Sequence, residues 1–126
     1  MNKNKKATDR KQSEELINAG IPVKTADMYW HDEILHSGCP EGMDYPNVYP
    51  AWSADGLIEL LPAGTLFLAR FRRGWDASFA GKRMQQDIAG DSNGTFPEKV
   101  DCLYHLIYDM IYNGAIIPKL LEGGEE

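Results

Sequence analysis

The stretch "TLFLARFRRGWDASFAG" (65–81) decides how this chain folds. Leu66, Leu68 and Arg70 alternate with Phe67, Ala69 and Phe71, the period-two pattern of a strand with one face against a core. RRG (72–74) supplies a return and WDASFAG a second arm, so Leu66–Phe71 is expected to pair antiparallel with Trp75–Ala80. Downstream, "KRMQQDIAGDSNGT" (82–95) adds a short strand near Met84 to Ile88 before the GDSNG loop. The clearest helix follows in "TFPEKVDCLYHLIYDMIYNG". Thr95 with Glu98 matches a capping box, Pro97 suits a first turn and Gly114 closes the end. Val100, Leu103, Leu106, Ile107, Met110 and Ile111 form one stripe at helical spacing, and the hairpin is the surface available to bury it.

Upstream of the hairpin, "YPAWSADGLIELLP" (49–62) specifies a two-turn helix. Trp52 stands at its entry, Ser53 can cap it, Asp55 complements the positive end of the dipole, and Pro62 stops it. Leu57, Ile58, Leu60 and Leu61 cover more than half its circumference. A helix this short is unstable alone, so burial must hold it, and it is expected to cover one edge or end of the sheet. Ser53 has the alternative of acting as a nucleophile. Its place just ahead of a helix favours capping, and a cap predicts that Ser53→Asp is tolerated.

Earlier still, "ADMYWHDEIL" (26–35) predicts a strand near 28–31, with Met28 and Trp30 on one side and Tyr29 and His31 on the other. "HSGCPEGMDYPNVYP" (36–50) reads as an irregular loop because of its glycines and prolines. Thr8 is expected to cap a helix running to Ala19, closed by Gly20. Residues 1–7, "MNKNKKA", read as a disordered basic tail, 8–121 as a single domain, and 122–126 as an acidic flexible end. The resulting class is α+β: a small antiparallel sheet, made of a hairpin near 65–80 and a strand near 28–31, covered by the C-terminal helix and short helices.

The chain has 126 residues, 43% of them apolar, enough for one core without obligatory disulfides or metals. Its formal net charge of −6 opposes any whole-protein attraction to nucleic acid or anionic membrane, so such a partner must use a local patch. Two cysteines outside any CxxC pair fit a reduced cytoplasmic protein. No apolar window approaches the length of a membrane span, and no membrane partner is expected.

"KTADMYW" (24–30), "YPAWSADGLIELLP" (49–62), the "LFLARF" strand and the closing amphipathic helix together resemble a group of small uncharacterised Bacteroidales proteins. These occur commonly in prophage-like or mobile regions and share a "TADMxW … PAWS…LLELLP" pattern. In that group the helix after PAWS is usually leucine-rich from its first turn, whereas Ala54, Asp55 and Gly56 occupy it here. The resemblance implies an accessory protein of a mobile element, and no activity, cofactor or catalytic residue.

His31, His36 and Cys39 are metal-capable side chains within nine residues, and Cys102 with His105 would have to complete a zinc site. The spacing does not by itself make one, and neither metal nor cofactor is expected. Arg70, Arg72, Arg73, Trp75, Lys82 and Arg83 form the one basic, aromatic stretch of the folded part and are the candidate binding residues. They suit nucleic acid. The reading favoured here, because the net charge is wrong for nucleic acid, is a solvated hairpin whose arginines protect a sheet edge and pair with the excess acids, so weak or absent nucleic-acid binding is expected. No phosphate loop, GxSxG elbow or HExxH helix occurs. The expected function is therefore a non-enzymatic interaction or accessory protein of a phage-like or mobile element, with a protein partner or a second copy of itself. The alternative is a nucleic-acid-binding accessory using residues 70–83, and a metal-dependent enzyme ranks third.

Overall fold

A computed structural model of the protein describes residues 5–123. Helix α1 spans Arg10–Asn18, and its cap is Asp9. The Asp9 carboxylate accepts from the Gln12 N–H at 2.9 Å, while the Gln12 side chain accepts from the Asp9 N–H at 3.1 Å, a reciprocal capping box. Thr8, the expected cap, is instead fully buried. Its hydroxyl accepts from the Trp52 N–H at 3.0 Å and meets the Ser13 hydroxyl at 2.8 Å. A buried hydroxyl needs such partners, and the position one residue later could take the cap.

Part of the expected basic tail belongs to the body. Ala7 is buried, and the Lys5 N–H donates to Glu98 at 2.9 Å. The Lys5 ammonium meets Asp101 at 2.7 Å and Asp9 at 3.1 Å. Burial pulls the Lys5 pKa down, but the hydrogen bonds and charges of Asp101 and Asp9 outweigh it and the net shift is upward. The rest of that tail, residues 1–4, lies outside the described residues.

The strands divide between two antiparallel three-stranded sheets, and not the single sheet expected. The strand at 28–31 takes its backbone partners from 34–37 and 48–51, which the glycine- and proline-rich composition hides, and does not pair with the hairpin. In the first, β1 (Met28–His31) lies between β2 (Ile34–Ser37) and β3 (Val48–Ala51). Asp32 and Glu33, at φ of 51° and 67°, make the tight return between β1 and β2. Both β2 and β3 fall in or beside the segment expected to be an irregular loop. Proline masks β3: Pro50 lies opposite Tyr29 on an edge strand, where a missing N–H is tolerated.

The second sheet has the order β4 (Gly64–Phe71), β5 (Gly74–Arg83), β6 (Gln86–Asp91). The expected hairpin is present, with Leu66 opposite Phe79 and Arg70 opposite Trp75. The third strand begins at Gln86. Met84 and Gln85 form the return instead, at φ of 52° and 69°, where periodicity alone suggested strand.

Helix α3 (Lys99–Tyr112) covers β5 and β6. Val100, Leu103, Leu106, Ile107 and Met110 of the expected stripe are buried, with Ile111 packed at the margin. The approach is close enough to require glycine at 90, where a Cβ would lie 2.1 Å from Met110 Cγ. The Thr95–Glu98 capping box does not form: Glu98 is the N-cap residue but makes no side-chain cap, because its carboxylate takes the Lys5 N–H. Helix α2 (Ala54–Ile58) packs chiefly on α3 and not over a sheet edge. It buries Leu57, while Leu60 is buried in the turn that follows. A last helix, α4 (Pro118–Gly123), occupies what read as an apolar return and the start of a flexible end; residues 124–126 lie outside the described residues. No helix among the described residues is long and apolar enough to cross a membrane.

Candidate functional site

The two segments that carry the sequence pattern pair with each other. β1 and β3 set Met28 opposite Ala51 and Trp30 opposite Tyr49. Beyond that ladder, Asp27 Oδ1 accepts from the Ser53 N–H at 2.9 Å, and Asp27 Oδ2 accepts a short hydrogen bond from the Ser53 hydroxyl. Ser53 Oγ in turn accepts from the Gly56 N–H at 3.0 Å, so Ser53 is the N-cap of α2. The indole N–H of Trp52 donates to Thr25 Oγ1 at 3.1 Å, and that of Trp30 to the Thr8 carbonyl at 3.0 Å. Gly56 is needed here, since a Cβ would stand 2.3 Å from Asp27 Oδ1. Every polar group singled out in this seam is engaged in holding it together.

The candidate basic residues separate into two groups at opposite ends of β5, about 26 Å apart at roughly 3.3 Å per residue. At the end next to the β5–β6 return, the fold uses its cations. Lys82 pairs with Asp87 across the strands at 3.1 Å. Arg83 donates to the carbonyl of Gly114 at 2.9 Å and to that of Ala115, just past the C-terminus of α3, where a cation also suits the helix dipole. Arg83 is thus a clasp between sheet and helix.

At the other end, Arg70, Phe71, Arg72, Arg73 and Trp75 of the β4–β5 turn face Pro97, Glu98 and Lys99 at the start of α3, around a cavity of about 550 Å³. A β-bridge between Trp75 and Phe96 ties the two segments together. Paired backbone bonds of 2.7 and 2.9 Å complete it. The Arg70 guanidinium lies 5.6 Å from the centre of the Trp75 ring and the Lys99 ammonium 5.3 Å, both within cation–π range. Among the described residues, none of Arg70, Arg72, Arg73 or Lys99 forms an ion pair. Lys99 was missed in the sequence because it reads as an ordinary first-turn residue 24 positions beyond Trp75; only the β-bridge brings it across. Its one signal was the TFPEK helix start itself.

A larger cavity of about 680 Å³ lies beside Tyr49, lined by Asp9, Arg10, Trp30, Asp32, Glu33 and Asn47. Its charged groups are largely committed: Arg10 to Glu14 at 3.2 Å, Asp9 to Lys5, and Asp32 to Asn47 at 3.1 Å. That contrast makes the smaller basic cavity the candidate site.

The metal-capable residues do not assemble. His31 and His36 have ring centres 6.2 Å apart, with Tyr29 stacked on His36 and Tyr45 on His31. Cys39 instead points its thiol at the carbonyls of Val23 and Lys24. His105 stacks on Phe96, and Cys102 is buried, which pushes its thiol pKa up. No group of three or more potential ligands among the described residues is arranged to hold a metal. The chain matches no protein-family model, no curated protein and no solved structure.

Proposed function

We propose that the protein is a small non-enzymatic interaction protein, a cytoplasmic accessory of a phage-like or mobile element, that engages an anionic partner through the basic end of the β4–β5–β6 sheet. One observation carries this reading. A chain of net charge −6 has acids to spare, yet four cations line one cavity, two of them over the Trp75 indole, and none pairs with a carboxylate among the described residues. Unpaired like charges gathered in one place repel, and relief comes from an anionic partner. Ser53, the side chain most like a nucleophile, is committed to Asp27 and Gly56. The mobile-element setting rests on the sequence resemblance.

The test is recovery of partners from the native host at low expression, analysed for protein and nucleic acid. The parent is compared with Arg72→Glu/Arg73→Glu and with Lys82→Glu. The first variant is expected to lose the partner and the second to keep it. A partner set unchanged by Arg72→Glu/Arg73→Glu would place the contact surface elsewhere.

A further inference from the structure

Resting on that reading, we infer that the anionic partner is a single-stranded nucleic acid, whose phosphates lie among Arg70, Arg72, Arg73 and Lys99 while a base stacks on Phe71. The cations come from two separate segments, the β4–β5 turn and the start of α3, so they surround the cavity and can hold more than one phosphate. Three of the four are arginines, whose planar fork matches phosphate oxygens in pairs. The cavity of about 550 Å³ admits a nucleotide. Glu98 contributes the one carboxylate of the lining; the Lys5 N–H takes its Oε1, and its single charge is outnumbered by the four cations.

The aromatic groups assign the base. Trp75 already carries Arg70 and Lys99 over its ring, whereas Phe71 lines the same cavity and is 55% exposed. A phenyl ring at the rim of a cationic pocket is a platform any base can use. The rest of the sheet limits the footprint. By the strand register Phe71, at the turn end, shares the outward face of the sheet with Phe67, Asp76, Ser78, Lys82, Asp87 and Asp91. Asp87 is paired with Lys82, and Asp76 and Asp91 would repel a backbone that ran on along that face past Phe71. A flexible single strand can bend over the turn end alone.

Binding of a short fluorescein-labelled oligothymidylate, followed by anisotropy, tests this. Four phosphate contacts on a single strand predict a salt slope of about −3, so affinity should fall roughly 50- to 60-fold between about 50 and about 200 mM salt. Arg72→Glu/Arg73→Glu should weaken binding at least about tenfold and flatten the salt dependence. Phe71→Ala should weaken it roughly fivefold or more without changing the slope. Circular dichroism of each variant confirms folding, and Lys82→Glu serves as the control that retains binding. Absence of oligonucleotide binding, or binding indifferent to Arg72→Glu/Arg73→Glu, overturns the inference. Equal competition by a polyglutamate peptide of similar length overturns it too, and leaves the proposed anionic-partner function standing with an acidic protein as the partner. Loss of every host partner's dependence on Arg72 and Arg73 would defeat that broader reading as well.

Discussion

The seam between β1 and α2 and the basic end of β4 and β5 are built on opposite terms. In the seam, Asp27, Ser53, Thr8, Thr25 and the two indoles each find a partner within the chain. At the basic end, two of the four cations rest on Trp75 and none of the four finds a carboxylate among the described residues, although carboxylates are in excess overall. The most carefully specified sequence, TAD with PAWS, therefore serves folding. The less distinctive RRG turn, joined by a lysine from a distant helix start, has the unused bonding capacity that recognition needs. Exposed charge left unpaired contributes little to stability, and capacity left over points outward.

If the seam is structural and the basic end is not, substitutions should separate stability from binding. Asp27→Ala should have the largest effect, about 1.5–3 kcal/mol in chemical denaturation, because it removes a charged acceptor and leaves the Ser53 N–H unpaired in a half-buried position. An effect below about half a kcal/mol would dissolve the seam as an energetic unit.

Gly56→Ala sharpens the contrast through its sign. In an ordinary helix interior this change stabilises by about 1 kcal/mol. Here it should destabilise by about 1–3 kcal/mol, because the new methyl collides with the Asp27 carboxylate. A gain in the denaturation midpoint would show that Asp27 moves aside freely.

Ser53→Ala should lose about 1 kcal/mol with the cap. Ser53→Asp should not recover it, contrary to what the sequence implies. The serine hydroxyl donates to Asp27, and a carboxylate in its place would face another carboxylate. Equal stability of Ser53→Asp and the parent at neutral pH would exclude that contact. The smallest effect belongs to the other region: Arg72→Glu/Arg73→Glu should change stability by no more than about 0.5 kcal/mol, as solvated substitutions do. A larger loss would mean that the turn cations hold the fold.

Much of the fold was legible because it depends on periodicity. The alternation in 65–71 found β4, and the stripe from Val100 to Ile111 found α3 and its buried face. What could not be read depended on contacts distant along the chain. β3 hid behind Pro46 and Pro50, since nothing local says that an edge strand can spare an N–H. Thr8 looked like a cap because its role as acceptor for Trp52 lies 44 residues away. For the site, local composition found Arg70 to Trp75. It also grouped Lys82 and Arg83 with them, since proximity in sequence does not reveal that a strand carries them to the far end, where Asp87 and two carbonyls receive them.

The hydrogen bond from Lys5 to Glu98 brings the start of the chain to the rim of the basic cavity. Lys5 therefore stands beside that cavity, and an acidic group tethered close to it would compete with an anionic ligand under assay. The opposite terminus leaves from α4, whose Leu120 and Leu121 lie with Arg83 around a separate small cavity at the far end of β5. That helix lies at the end of β5 away from the cations, so the choice of tag position bears on whether a binding measurement reports on the protein or on its purification.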